Sequence, residues 1–433
     1  MSLDLQHLEA DVIARQPTSL AALLPESFIL PHYTGHSIAN LPPTIGHLLR
    51  VDQGWAAPPL DERHWRGLEQ GIERVILLVL DGIGWRRLRS LLESGDTAFV
   101  EQLEQLGARL TPITSVSPAT TSVATTTLWG NGAAPAEHGI LGFTMLLAEQ
   151  SALCNMLFWQ PVGRGAAGYG ELESWGLAPE TFLRTPSLAQ VLAGGAVSTT
   201  SLMPMPISNS PLTRMQMRGA RVIGYHNATD LWLMLRDWLS QTTGQRAFCY
   251  AYYPDFDNFS HRDGPNEPSW EALWRELRFH LDGFLGSLTA QQRQKTLFLV
   301  TADHGHVFSP DAERHLLSDH PALAQHLSLM PGGEPRHLYL YGRAGHSEAI
   351  RAYHEAHLAS AFHLLDSREA LTAGLYGPPA RLHPDAERRL GDVVLLARGG
   401  ATLWLSEPAR SLLGMHGSLE AEEMLVPFLA LRC

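Results

Sequence analysis

Three unbroken apolar runs, Val75 to Leu80, Ala247 to Tyr253 and Thr296 to Val300, each stop abruptly and are soon followed by acidic residues. Strands buried on both faces lose the apolar–polar alternation of a half-exposed sheet, so such runs predict a mostly parallel sheet covered by helices. In open α/β sheets of that kind, ligands gather outside the carboxyl ends of the strands. The residues that fall there are Asp81-Gly82, the segment PDFDNFSHRDGP, and Asp303-His304-Gly305-His306.

The intervening chain reads as the helices and turns that such a sheet needs. Leucine spacing from Trp85 to Leu106 is helical, Ala108 to Thr114 suits a short strand, and Thr121 to Leu128 suits a helix opening from a Ser/Thr-rich turn. Residues 1–70 are Pro-rich and read as a segment packed on the core. Residues 71–319 and 409–433 read as the α/β core. The stretch 320–408 interrupts it with His337 to Tyr341, Ser347 to Leu358, Arg368 to Gly374 and Val393 to Leu396, which predict a small inserted α+β subdomain. Between 151 and 245, GRGAAGYGELESWG reads as a loop and Asp230 to Ser240 as an amphipathic helix. The aromatic segments Phe143 to Trp159 and Trp232 to Trp238 suit a core, with a base-binding slot as the alternative.

Composition narrows the function. A net charge of -12 leaves no basic face for a nucleic-acid backbone, so a small-molecule partner is expected. The three cysteines, Cys154, Cys249 and Cys433, have no metal-ligand spacing and read as inert thiols. The first residues, MSLDLQHLEADVIARQPTS, are acidic where a signal peptide is apolar, and no apolar stretch is long enough to span a bilayer. A cytoplasmic protein without a membrane contact is expected, and its oligomeric state stays open.

The chemistry lies in scattered residues. Asp81 alone suits a strand-end turn as well as a metal ligand. The hydroxyl run SPATTSVATTT lies where helix N–H groups attract phosphate, although Ser and Thr are also ordinary N-caps. Asp257 and His261 are four apart and can converge on one ion, with Asp255 the less apt alternative. Asp303-His304 is the most telling pair, because a buried strand empties straight into two potential ligands; His306 is a further ligand or an outer partner. His416 sits between glycines, and His138 in a similar setting reads as structural. Together, three carboxylates, three imidazoles and one hydroxyl can fill the inner shells of two divalent ions and supply a nucleophile. That is the chemistry of phosphoester hydrolysis.

With these residues in order, the chain resembles the alkaline phosphatase superfamily, and within it the type I phosphodiesterase and nucleotide pyrophosphatase branch. The motifs that carry the resemblance are VLDGIG, SPATTSVATTT followed by PAEHGILG, DNFSHRDGP, TADHG and MHGSLEAEEMLVPFLA. The resemblance implies an alkaline-phosphatase-like sandwich. It places Asp81, Thr121, Asp303 and His304 around one metal ion, with Thr121 the nucleophile, and Asp257, His261 and His416 around the other. Thr120 remains the alternative nucleophile. The implied reaction is cleavage of a phosphodiester or pyrophosphate through a phospho-threonine intermediate, with two divalent ions, zinc by its mixed His/Asp ligation or else manganese.

Two departures stand out. Ser122, Val123 and Ala124 follow Thr121 where the branch usually carries Phe-Pro-Asn, whose amide helps hold a phosphoryl oxygen, and Ser260 replaces the Gly before His261. A phosphomonoesterase or phosphonate hydrolase is therefore the alternative, and an inactive binding module the remote one.

Overall fold

The computed structural model describes residues 5–15, 17–163, 168–266, 268–407 and 412–432. Cys433, residues 164–167 of the expected loop and the junction at 408–411 lie outside them.

Seven strands form the central sheet: β1 (Arg74–Leu80), β2 (Arg109–Thr114), β3 (Ser198–Pro204), β4 (Arg221–Tyr225), β5 (Ala247–Tyr253), β6 (Thr296–Thr301) and β7 (Leu425–Arg432). Their order is β2-β7-β6-β1-β5-β3-β4, and β7 alone runs antiparallel to its neighbours. The three apolar runs are the three adjacent central strands β6, β1 and β5, and every residue in them is buried.

Register sets the position of the site. Leu80 pairs with Tyr253 across β1 and β5, and Val79 with Thr301 across β1 and β6. The three chains therefore leave the sheet side by side, about 4.8 Å apart, and Asp81, Asp257 and Asp303 follow within a few residues. Helices cover both faces. The expected helix from Trp85 to Leu106 is two, Trp85–Ser94 and Thr97–Gln105, because Asp96 caps a new start by accepting from the Phe99 N–H. Asp230 to Ser240 falls within Ala228–Gln241.

A second seven-stranded sheet is antiparallel throughout. Its order is Phe362–Asp366, Val393–Ala397, His337–Leu340, Gly332–Glu334, Thr144–Leu147, Ala152–Asn155, Gln160–Pro161. Four of these strands come from the stretch read as an insertion, and three come from 144–161. The single ladder pair Gly333–Thr144 joins the two sets, reinforced by the Thr144 hydroxyl donating to the Gly333 carbonyl at 2.7 Å. A separate small core, including Leu323, Leu340, Ile350, Phe362 and Leu395, lies beneath helix Ser347–His357.

Candidate active site

Four structural devices bring the site together. β1 ends at Leu80, and Gly82 turns the chain with φ +81°; a Cβ there would lie 2.6 Å from His306 Cε1, so glycine leaves the space for that ring. Helix α1 (Thr121–Trp129) opens at the hydroxyl run. Helix α2 (Asp255–Asp263) presents Asp257 and His261 one turn apart. A short ribbon pairs Val307 with Met415, which sets His306 opposite His416.

Two clusters result. In the first, Asp81, Asp303 and His304 are buried, with His304 Nε2 3.5 Å from both Asp81 Oδ1 and Asp303 Oδ2. In the second, Asp257 Oδ1 lies 3.1 Å from His306 Nε2, 3.3 Å from His261 Nε2 and 3.7 Å from His416 Nε2. The clusters abut, because the His304 and His416 rings stack with centroids 3.7 Å apart. Thr121 Oγ1 is 3.1 Å from His304 Nε2 at the start of α1. Thr120 turns instead to the buried Glu334 carboxyl.

All seven sequence-predicted residues, Asp81, Thr121, Asp257, His261, Asp303, His304 and His416, meet here. His306 joins the second cluster, whereas Asp255 stays outside both. His138 is elsewhere in use, its Nε2 against Thr127 Oγ1 and its Nδ1 accepting the Ile140 N–H.

The outer contacts orient every imidazole in the same way. Nδ1 of His261, His304, His306 and His416 faces the carbonyls of Gly414, Gly305, Gly82 and Ala119 at 2.7, 3.2, 3.2 and 3.0 Å. A nitrogen beside a carbonyl carries the proton, so each Nε2 turns a lone pair into the site. The carboxylates are arranged likewise. Asp303 Oδ1 accepts from the Gly82 and His304 N–H groups, and Asp81 Oδ2 accepts from the Tyr252 hydroxyl. Their other oxygens, with Asp257 Oδ1 and His306 Nε2, are buried without a hydrogen-bond partner.

Buried acceptors facing one another are costly unless a cation lies among them. Ligand bonds of about 2.0–2.2 Å place neighbouring donors roughly 3–4 Å apart, which matches the separations here. The donor sets therefore fit divalent ions.

Electrostatics agree. Burial, then the Asp303 and Asp257 charges, push Asp81 well above the usual carboxylate range. Burial acts the same way on Asp257, but His261 and His306, where protonated, outweigh it and hold the carboxyl low. Burial and then the surrounding imidazoles hold His416 well below the ordinary histidine value.

Sequence reasoning missed two supports. Tyr252 sits in an apolar run with Tyr on either side of the strand, and nothing local marks its hydroxyl as the partner of Asp81. Glu334 lines a cavity of about 340 Å³ with Phe143, Phe158, Gln160 and Trp404. The other aromatic segment is core, since Trp232 and Trp238 are buried in the main hydrophobic cluster.

A mostly parallel sheet whose central strands end in two adjoining Asp/His clusters beside a helix-borne threonine defines the alkaline phosphatase superfamily. Residues 75–419 match the family model for type I phosphodiesterase / nucleotide pyrophosphatase, and the chain belongs to that family. It is a phosphoric ester hydrolase of that class. Among solved structures, it is similar to murine ectonucleotide pyrophosphatase / phosphodiesterase 5 at 16% identity, with 82% of this chain and 87% of that chain covered and a TM-score of 0.59. An inactive form of that murine protein in complex with AMP aligns with a TM-score of 0.58 at 16% identity, covering 83% and 87%. Phosphonoacetate hydrolase from Sinorhizobium meliloti 1021 in complex with phosphonoformate aligns at 17% identity over 82% and 89%, with a TM-score of 0.58. A comparison with curated protein sequences finds no match. Among the described residues, no helix is long and apolar enough to cross a membrane.

Proposed function

We propose that this protein hydrolyses a phosphodiester or pyrophosphate bond of a nucleotide-like small molecule, with Thr121 as the nucleophile. The observation that carries the reading is the Thr121 hydroxyl at the opening of α1, 3.1 Å from His304 Nε2 and beside both clusters.

Asp81, Thr121, Asp303 and His304 would hold one divalent ion, and Asp257, His261 and His416 the other. When bound, the ions supply Lewis-acid activation of the hydroxyl and offset charge on the phosphoryl group. The chain does the rest. Thr121 Oγ1 attacks phosphorus as the bond to the leaving oxygen breaks, giving a phosphothreonine that water then hydrolyses. The Thr121 and Ser122 N–H groups that open α1 would be donors for the phosphoryl oxygens, a preorganised electrostatic contribution. Thr120 is a poorer candidate because its side chain is engaged by Glu334.

Support for the nucleotide reading comes from the family match and from the fold shared with the AMP complex. One observation favours a phosphomonoester or phosphonate substrate instead. After Thr121, Ser122 donates to the Gly142 carbonyl and Val123 and Ala124 are buried, so none of these three positions offers a side-chain amide to the phosphoryl group.

Comparing p-nitrophenyl phosphate, its bis-ester and thymidine 5′-p-nitrophenyl phosphate tests the reading. Preference for a diester is expected, with Thr121→Ala lowering kcat at least about 10³-fold while metal content falls only modestly. Near-normal activity in Thr121→Ala removes the nucleophile, and preference for the monoester reverses the substrate ranking.

A further inference from the structure

The second cluster holds one donor more than the family-derived ligand set. We propose that His306 is a direct ligand of the cation held by Asp257, His261 and His416, making a centre of three imidazoles and one carboxylate. From this we infer that phosphoryl-oxygen binding there favours a cation accepting five or six donors, of the manganese class, over zinc. The inference rests on the metal-dependent reading above and concerns how one of its two sites is built.

Three observations converge. His306 Nε2 lies 3.1 Å from Asp257 Oδ1, the shortest of the three histidine contacts to that oxygen. Its Nδ1 faces the Gly82 carbonyl, so the proton resides there and Nε2 presents a lone pair toward a carboxylate oxygen. Both atoms are buried without a hydrogen-bond partner. A lone pair aimed at an anion repels it, and His261 and His416 present theirs to the same oxygen. A cation among the four resolves the repulsion for all of them together. An outer-shell role fits less well, because a histidine that only supports Asp257 would need either a bare Nδ1 turned toward a carbonyl or a doubly protonated, charged ring in a fully buried position.

The placement is also built rather than incidental. The antiparallel pair Val307–Met415 fixes His306 opposite His416, and the ring occupies the space that glycine leaves at position 82.

The consequence follows from coordination number. Zinc is usually tetrahedral, and catalytic zinc keeps three protein ligands plus one open position. Four protein donors close that shell. An ion that prefers octahedral oxygen and nitrogen donors retains room for a substrate oxygen.

The test uses the full-length protein stripped of metal, titrated with Co²⁺ by equilibrium dialysis and followed by visible absorption, for the wild type and His306→Gln. The glutamine keeps a hydrogen-bonding group near Gly82 but is a poor ligand, and thermal unfolding of the metal-free forms verifies its fold. Wild type is expected to take two ions. His306→Gln is expected to hold one of them at least about 100-fold more weakly, more than the 10–100-fold typical of losing an outer partner, with an altered absorption band for that ion alone. His306→Asp, which restores a donor, should recover binding. Binding of inorganic phosphate should be tighter to the manganese-loaded than to the zinc-loaded wild type, and this difference should collapse in His306→Gln.

Retention of both ions by His306→Gln, within about threefold of wild type, overturns the ligand assignment and leaves the hydrolase reading intact. Equal phosphate binding by the zinc and manganese forms overturns the selectivity. Uptake of no ion by the wild type sinks this inference and the metal-dependent reading together.

Discussion

Replacing Arg336 by Met is expected to destabilise the protein by about 3–5 kcal/mol, the usual cost of removing one partner from a buried ion pair. Arg336 and Glu423 are both fully buried. The guanidinium donates to Glu423 Oε2 at 3.0 Å and Oε1 at 2.7 Å, and to the Ala401 carbonyl at 2.8 Å. Glu423 also accepts the Ser418 and Glu420 N–H groups, at 3.1 and 3.3 Å, while its own carbonyl accepts the Gly305 N–H at 2.9 Å. One residue thus ties the chain just after His416 and just after His304. Unfolding entropy of about 2.1 cal/mol/K per residue converts the loss to a fall in Tm of roughly 3–6 °C. Because the carboxylate left behind is the main source of cost, adding Glu423→Leu to Arg336→Met should recover at least about 2 kcal/mol, although the Ser418 and Glu420 N–H groups stay unpaired. Denaturant unfolding monitored by tryptophan fluorescence measures both variants, and metal content reports whether His304 and His416 keep their positions. The reasoning is refuted by an Arg336→Met protein within about 1 kcal/mol of wild type, or by a double variant as unstable as the sum of the singles.

Two further outcomes concern pH. Burial pushes Glu334 up to about 8, so the folded state binds a proton that the unfolded state lacks between the ordinary value of 4.5 and about 8. Stability from this group is full below that window and lost as pH rises through it, so Glu334→Gln should make Tm rise more, or fall less, with pH between 5 and 8 than in the wild type; an unchanged slope argues against a buried neutral acid. His64, His138 and His337 are held at about 3, burial being the first cause in each. Here the unfolded state takes up protons that the folded state refuses, so stability is lost as pH falls below about 6.5, by about 1.5–2 kcal/mol for each by pH 5. Acid titration followed by circular dichroism checks this, and a metal-free protein equally stable at pH 5 and 7 contradicts it.

Part of the site was legible because it lies next to segments with a strong local signal. Runs such as VILLVL must be buried on both faces, and the rule that ligands collect at strand ends turned the next acid into a candidate. Asp81, Asp303 and His304 follow from that logic, and Asp257 with His261 follows from a spacing that any helical turn satisfies. His416 had no such signal and was reached through the order of motifs alone.

The sequence by itself therefore determined the three central strands of the main sheet and the edge at which its chemistry collects, since burial on two faces is written into their consecutive residues. Ser198–Pro204, Arg221–Tyr225 and Leu425–Arg432, the last broken by Pro427, carry no such mark. Tertiary structure alone decided what faces what. Pairing of Gly333 with Thr144 completes the second sheet from distant stretches, Val307 with Met415 sets His306 against Asp257, and Thr120 turns to Glu334 while Thr121 turns to His304. Strand pairing joins residues far apart in the chain, and the direction of a side chain depends on the partners it meets there, so neither leaves a periodic mark in the sequence.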